Sequence, residues 1–259
     1  MLPGGGRGYE GDVLSPIVSI IMPAYRSAPT IARAITSVQS QSVPTWELIV
    51  IDDASDDETA SVVADLARVD SRIKLCQHTE NRGAAHARNL GLSQARARFI
   101  AFLDADDEWL VPKLERQLDH MAQTGASLSY TGFWRQRAGV RHQVMVPPEV
   151  DYRQLLRGNV IGCLTAMVDR SAFDFPLFMP DIRRRQDYAF WLELLRRGAV
   201  AKGLQEPLAT YHVTAQSLSS GRLAAMRATW SVYRRLEQQG VLGSTGYLAA
   251  HLLGRLWRG

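Results

Sequence analysis

The chain has 259 residues, of which 46% are hydrophobic and 22% charged, and a formal net charge of +4. Such a length suits one large domain with an appendage, and such a composition is that of a soluble globular protein rather than a disordered or fibrous one. Two cysteines, Cys76 and Cys163, show neither metal-site spacing nor disulfide density, which points to a reducing, cytoplasmic compartment.

Residues 1–15 are glycine-rich, lack the apolar core of a signal peptide, and read as a flexible tail. VSIIM (18–22) reads as a first strand. PTIARAITSVQSQ follows as a helix, with Ile31, Ile35 and Val38 at helical spacing. ELIVID (47–52) and RIKLCQ (72–77) are further strands, AAHARNLGLSQAR is a helix, and RFIAFLD (98–104) is a fourth strand. Another helix is expected from Pro112, a favourable first-turn residue. Strands alternating with helices, and near-continuously apolar, imply a doubly wound α/β sheet covered on both faces. Beyond residue 125 the rhythm changes: SLSYTGFW, VRHQVMV and VIGCLTAMV read as strands, DYAFWLELLRR as an amphipathic helix, and the last forty residues as helical. No run approaches 18 consecutive apolar residues, so no spanning helix is expected. No zinc spacing, basic region with heptads or RNA-binding aromatic motif occurs, so no nucleic-acid partner is expected.

In open α/β sheets, ligands bind at the carboxyl ends of the strands. The first strand ends in MPAYRS, which has neither a dinucleotide-binding glycine fingerprint nor a phosphate-cradling P-loop. The second ends in IDDASDDET. Ser55 and Glu58 fit a capping box, with Asp56 and Asp57 suited to a helix N-terminus, whereas Asp52 and Asp53 precede the cap and could accept from a ligand N–H such as a uracil imide. The fourth ends in FLDADDEW. Asp104 and Asp106 are two apart and face one way on extended backbone, with Asp107 starting the turn. Neighbouring carboxylates repel unless protonated or metallated, and oxygen-only ligands suit Mg²⁺ or Mn²⁺ held jointly with phosphates. Asp187, in RRRQDYAFW, opens a helix, where the dipole alone favours an acid; a general base beside an arginine-rich mouth is the alternative. His212, in TYHVTAQSLSS, is open to a structural or a ligating role.

In combination, VSIIMPAYR, WELIVIDDASDDET, NRGAAHARNLG, FIAFLDADDEW and RQDYAFWLELL, in this order over residues 16–220, resemble the inverting glycosyltransferases of family 2. LLRGNVIGCLTAMVDR, RRRQDYAFW and GLQEPLATYHV resemble a bacterial subgroup associated with cell-envelope polysaccharides, including teichuronic acid. The resemblance implies a GT-A fold over 16–219, a mixed sheet flanked by helices, and a C-terminal helical extension over 220–259. It also implies roles. Pro23, Ala24 and Tyr25 would line the nucleotide pocket, Asp53 would accept from the base, and Arg88 would lie near the nucleotide or its phosphates. Asp104 and Asp106 would form the DXD signature, with Asp106 the direct ligand of Mn²⁺ or Mg²⁺. Asp187 would be the base, and His212 a late metal or diphosphate contact. Gln186 departs from the pattern, since an acid commonly precedes the base.

The implied activity is transfer of a sugar from a nucleotide-diphosphate donor, a UDP-sugar, to a saccharide or lipid-linked acceptor. A non-catalytic carbohydrate- or nucleotide-binding protein on the same fold is the alternative. From Ser220 onward six arginines face one acid, Glu237. The final GYLAAHLLGRLWRG has an apolar side. Together they suggest peripheral association with the inner face of the cytoplasmic membrane.

Overall fold

Four parallel strands build the first half of the sheet. They are β1 (Val18–Ala24), β2 (Trp46–Asp52), β3 (Ile73–Gln77) and β4 (Phe99–Phe102), and they pair in the order β3-β2-β1-β4. The computed structural model describes residues 15–213 and 222–256. Most of the N-terminal tail, the expected boundary at 219–220 and the hydroxyl-rich run after His212 lie outside the described residues. Every residue of β2 is buried, as a strand covered on both faces requires. Residues two apart share a face, so Val18, Ile20 and Met22 enter one core while Ile21 enters the other.

Helices α1 (Ile31–Gln39), α2 (Thr59–Val69) and α4 (Lys113–Thr124) lie over the first core, and α3 (Ala84–Gln94) over the second. α1 buries Ile31, Ala34, Ile35 and Val38, the stripe expected from its spacing. α3 is rich in small residues, and Gly91 shows why. A β-carbon there would stand 2.6 Å from Ile21 Cγ2, so glycine lets the helix settle onto β1 and β2.

The second half continues the sheet with antiparallel and parallel partners: β8 (Met167–Asp169), β6 (Leu128–Arg137), β9 (Ala201–His212) and the two-residue β5 (Glu108–Trp109), with β7 (Val140–Val144) on β6. Two local expectations fail. Of the strand expected over 160–168, only Met167–Asp169 forms. Gly162 O accepts both the N–H and the Oγ1 of Thr165, and that turn takes up Cys163–Thr165. The capping box at Ser55 also does not form. Ser55 Oγ accepts from Arg26 N, and Asp57 instead caps the start of α2 by accepting Thr59 N–H at 3.0 Å.

After a short helix α5 (Tyr152–Leu156), α6 (Gln186–Arg196) carries the aromatic run into the second core. The C-terminal α7 (Arg222–Ser231) and α8 (Val241–Leu256) are present, joined through a π-turn over Val232–Leu236. Tyr233 of that turn joins them to the body: its hydroxyl donates to Leu156 O at 2.6 Å and meets Tyr188 of α6 at 3.1 Å. No helix among the described residues is long and apolar enough to cross a membrane.

Candidate active site

The carboxyl ends of β1, β2 and β4 open on one side of the sheet, and the expected site residues gather there. β1 and β2 are stitched together as they leave the sheet. Asp53 N donates to Ala24 O at 2.8 Å, and the Arg26 guanidinium grips Asp56 through Nε and Nη2 at 2.7 and 2.6 Å. Arg26 and Ala54 both take positive φ, 50° and 57°, a strained conformation for residues with a side chain. These two turns leave Tyr25 exposed at the lip and Pro23 half-buried beneath it.

Asp53 is buried, and its carboxylate is engaged within the protein. Oδ2 accepts from Gly83 N at 2.7 Å; Oδ1 accepts from Arg82 N at 3.0 Å and meets His78 Nδ1 at 2.7 Å. A carboxylate offers about four lone-pair sites, so these three contacts do not exhaust its accepting capacity. The structure also gives Asp53 a task the sequence did not show: it fixes the loop that launches α3.

Arg88 is delivered by α3, one turn before the Gly91 contact. It is buried, and its Nη2 donates to Asp104 Oδ1 at 2.5 Å. Burial works against its charge, but Cys163, Asp104 and Asp187 all surround it, and the guanidinium stays firmly protonated. The charge of Asp187, in the first turn of α6, thus acts on the same buried cation. Arg185, just before that helix, sits in the left-handed region at φ 69° and turns the chain into it.

The loop between β4 and β5 holds the other acids. Asp107 N donates to Asp104 O at 3.0 Å, closing a turn that groups the three aspartates. Burial, then the charge of Asp104, pushes the Asp106 carboxyl up to about 6. Asp107 departs from the sequence expectation of a residue starting the turn. It is fully buried, Oδ1 accepts from His212 N at 2.8 Å, and Oδ2 is buried with no hydrogen-bond partner. Burial and the two neighbouring aspartates drive its carboxyl well above the ordinary carboxylate range. Only its place in the DADD run could have marked it. His212, at the end of β9, meets Glu108 Oε1 through Nε2 at 2.6 Å.

This donor set fits a hard divalent cation: oxygen ligands, surplus negative charge and an orphaned buried carboxylate oxygen. No group of three or more acidic, histidine or cysteine side chains among the described residues is arranged to hold a metal alone. Such a cation would therefore be held by one or two carboxylates, Asp106 foremost, and completed by substrate phosphates.

The model of glycosyl transferase family 2 matches residues 19–173. The chain belongs to glycosyltransferase family 2. It is 39% identical over 233 residues to TuaG of Bacillus subtilis (strain 168), named as a teichuronic acid biosynthesis glycosyltransferase, covering 89% of this chain and 92% of that one. It is 36% identical over 218 residues to WfgD of Escherichia coli, named a UDP-Glc:alpha-D-GlcNAc-diphosphoundecaprenol beta-1,3-glucosyltransferase, covering 83% and 85%. Among solved structures, S. aureus TarS 1–349 in complex with UDP-GlcNAc matches with a TM-score of 0.71 at 20% identity over 91% of this chain and 71% of that one. The mannosyltransferase PcManGT of Pyrobaculum calidifontis, in complex with GDP-Man and Mn²⁺, matches with a TM-score of 0.70 at 20% identity over 91% and 69%. The family 2 glycosyltransferase fold, GT-A with C-terminal helices, is therefore that of this chain.

Proposed function

We propose that this family 2 glycosyltransferase transfers a sugar from a UDP-sugar to an acceptor hydroxyl in cell-envelope glycolipid or polysaccharide synthesis, with inversion at the anomeric carbon. One observation carries the reading: the buried Arg88 bonds Asp104 and is also acted on by the charge of Asp187, which supports one site shared by the loop after β4 and the start of α6. The name of TuaG supports an envelope polysaccharide, that of WfgD supports a lipid-linked acceptor, and the UDP-sugar bound by TarS supports the donor.

On this reading the nucleotide lies against Pro23, Ala24 and Tyr25, with Tyr25 stacking on the base and Asp53 accepting from it. Asp104 and Arg88 orient the ribose and phosphates. Asp106 would be the main ligand of Mn²⁺ or Mg²⁺, and His212 would supply a second contact. The cation would supply charge neutralisation at the departing diphosphate. Asp187 takes the proton of the acceptor hydroxyl as the new bond forms; a single displacement inverts the anomeric carbon and requires no covalent nucleophile. The domain organisation follows: a catalytic unit over 16–219 and a helical extension over 220–259 that brings the protein to the cytoplasmic face of a membrane.

The test is calorimetric titration of UDP with Mn²⁺ and with EDTA, followed by UDP release with membrane lipid as acceptor. Asp187→Asn should retain UDP binding and lose about 10²–10⁴-fold in transfer. Transfer at the wild-type rate would remove Asp187 from the mechanism. Failure of wild type to bind UDP under any condition would remove the donor assignment.

A further inference from the structure

The acidic loop after β4 is held by a clasp drawn from two separate elements. Arg33, on α1, donates through Nη2 to the backbone carbonyl of Asp106 at 2.7 Å, and its Nε lies 3.0 Å from Glu108 Oε1. The same Glu108 oxygen meets His212 Nε2, and the His212 N–H reaches Asp107 Oδ1. α1 adds a second hold where Ser37 Oγ accepts from Trp109 N–H at 3.1 Å. Residues 106–109 are thereby fixed from α1 on one side and from β9 on the other.

Fold stability is a weak reason for the Arg33 contact. The side chains of Arg33 and Glu108 are 43% and 33% exposed, and ion pairs that open to water contribute about 0–1 kcal/mol. What the contact does fix is geometry. An arginine that donates to a peptide carbonyl sets the plane of that peptide, and the side chain on the same residue inherits the orientation. The guanidinium also lies close enough to Asp106 and Asp107 to favour their ionised forms. Groups that orient a metal ligand without touching the metal commonly alter its affinity by about 10–100-fold.

Building on the donor-site reading above, we propose that Arg33 is a positioning residue for the cation: it orients the Asp106 peptide so that the Asp106 carboxylate meets the cation–diphosphate pair in one geometry. Arg33 acts here through the Asp106 peptide that it bonds. Its loss should act on cation and donor binding and leave the rate of the saturated enzyme alone.

The test measures Mn²⁺ affinity in the presence of UDP from the electron paramagnetic resonance signal of free Mn²⁺, alongside thermal melts and donor kinetics. Arg33→Ala should bind Mn²⁺ about tenfold more weakly and raise the donor KM in parallel, with kcat at saturating Mn²⁺ and the melting temperature close to wild type. Arg33→Gln, which keeps a donor for the Asp106 carbonyl without the charge, should recover most of the loss. Mn²⁺ affinity of Arg33→Ala within twofold of wild type overturns the inference, as does Arg33→Gln behaving like Arg33→Ala, which would reduce Arg33 to a nearby charge. If wild type itself retains no Mn²⁺ with UDP, the metal reading fails and this inference with it. If wild type binds and the variants bind equally, this inference fails alone.

Discussion

Asp104, Asp106 and Asp107 concentrate three carboxyl groups on one turn, and the nearest cations answer only part of that charge. Arg88 bonds Asp104, while Arg33 reaches the carbonyl of Asp106. The cost is visible at Asp106, whose carboxyl is pushed up to about 6 by burial and by Asp104. An acid whose folded pKa is raised destabilises the fold where it is ionised, so the penalty is full above pH about 6 and fades as pH falls toward the ordinary value of 3.8. Asp106→Asn should therefore melt higher than wild type in EDTA at pH 7, by about 1 kcal/mol after solvent screening, and should lose the stabilisation that Mn²⁺ with UDP gives wild type. A variant that is less stable in EDTA would show that Asp106 is not strained in the metal-free state. The acidic cluster could be read from the sequence because strand ends carry ligands. The shared face expected of extended backbone does not hold, since β4 ends at Phe102 and the three aspartates lie on a turn. The burial of Asp107 could not be read, because the sequence gives no measure of its packing against His212. Arg33 was equally hidden, since only the folded α1 brings that helix position over the loop.

Among the elements, the edge of the sheet away from the site is joined by Glu47 of β2. Glu47 is buried; Oε1 accepts from Ser19 Oγ of β1 and from Arg96 N, and Oε2 from Lys74 Nζ of β3. Burial alone would raise its carboxyl, but the bonds from Lys74, Ser19 and the Arg96 N–H outweigh it and hold the group at about 2. A depressed acid contributes stability above its unfolded value and loses it on acidification, here between pH 4.5 and about 2. Glu47→Gln should cost about 2 kcal/mol at pH 7, and its melting curve should converge with wild type near pH 2; a constant gap down to pH 2 would show that charge is not what Glu47 contributes. The parallel strands were legible because continuous apolar runs bounded by amphipathic stretches admit few other arrangements. The region over 160–168 was misread for a related reason. An apolar run marks burial without marking backbone shape, and the bonds from Thr165 to Gly162 O shape a turn there.

For the molecule as a whole, the C-terminal helices are joined to α5 and α6 through Tyr233. Tyr188, next to Asp187 on α6, shares its hydroxyl contact with Tyr233, and Ile182, Arg183 and Arg184 border a small cleft with Ala228 and Ser231 of α7. The extension is thus packed beside the start of α6. Its outer surface is unusual for a helix facing water: from Gln238 to Gly254 the chain has no Asp, Glu, Lys or Arg, yet Leu242 is 90% and Leu253 59% exposed. Those two leucines stand eleven residues apart, three helical turns, and fall on one face. Glu237, the single acidic side chain of the extension, is buried and accepts from the Tyr152 hydroxyl. An uncharged apolar face flanked in the sequence by arginines fits the headgroup region of an anionic bilayer. The protein should therefore sediment with vesicles containing phosphatidylglycerol far more than with phosphatidylcholine alone, and added salt should weaken the binding. Leu242→Asp with Leu253→Asp should abolish sedimentation while leaving UDP binding intact and the melting temperature close to wild type. If the paired substitution instead dissociates a dimer and leaves vesicle binding unchanged, the face is an interface between two copies and the acceptor reaches Asp187 by another approach.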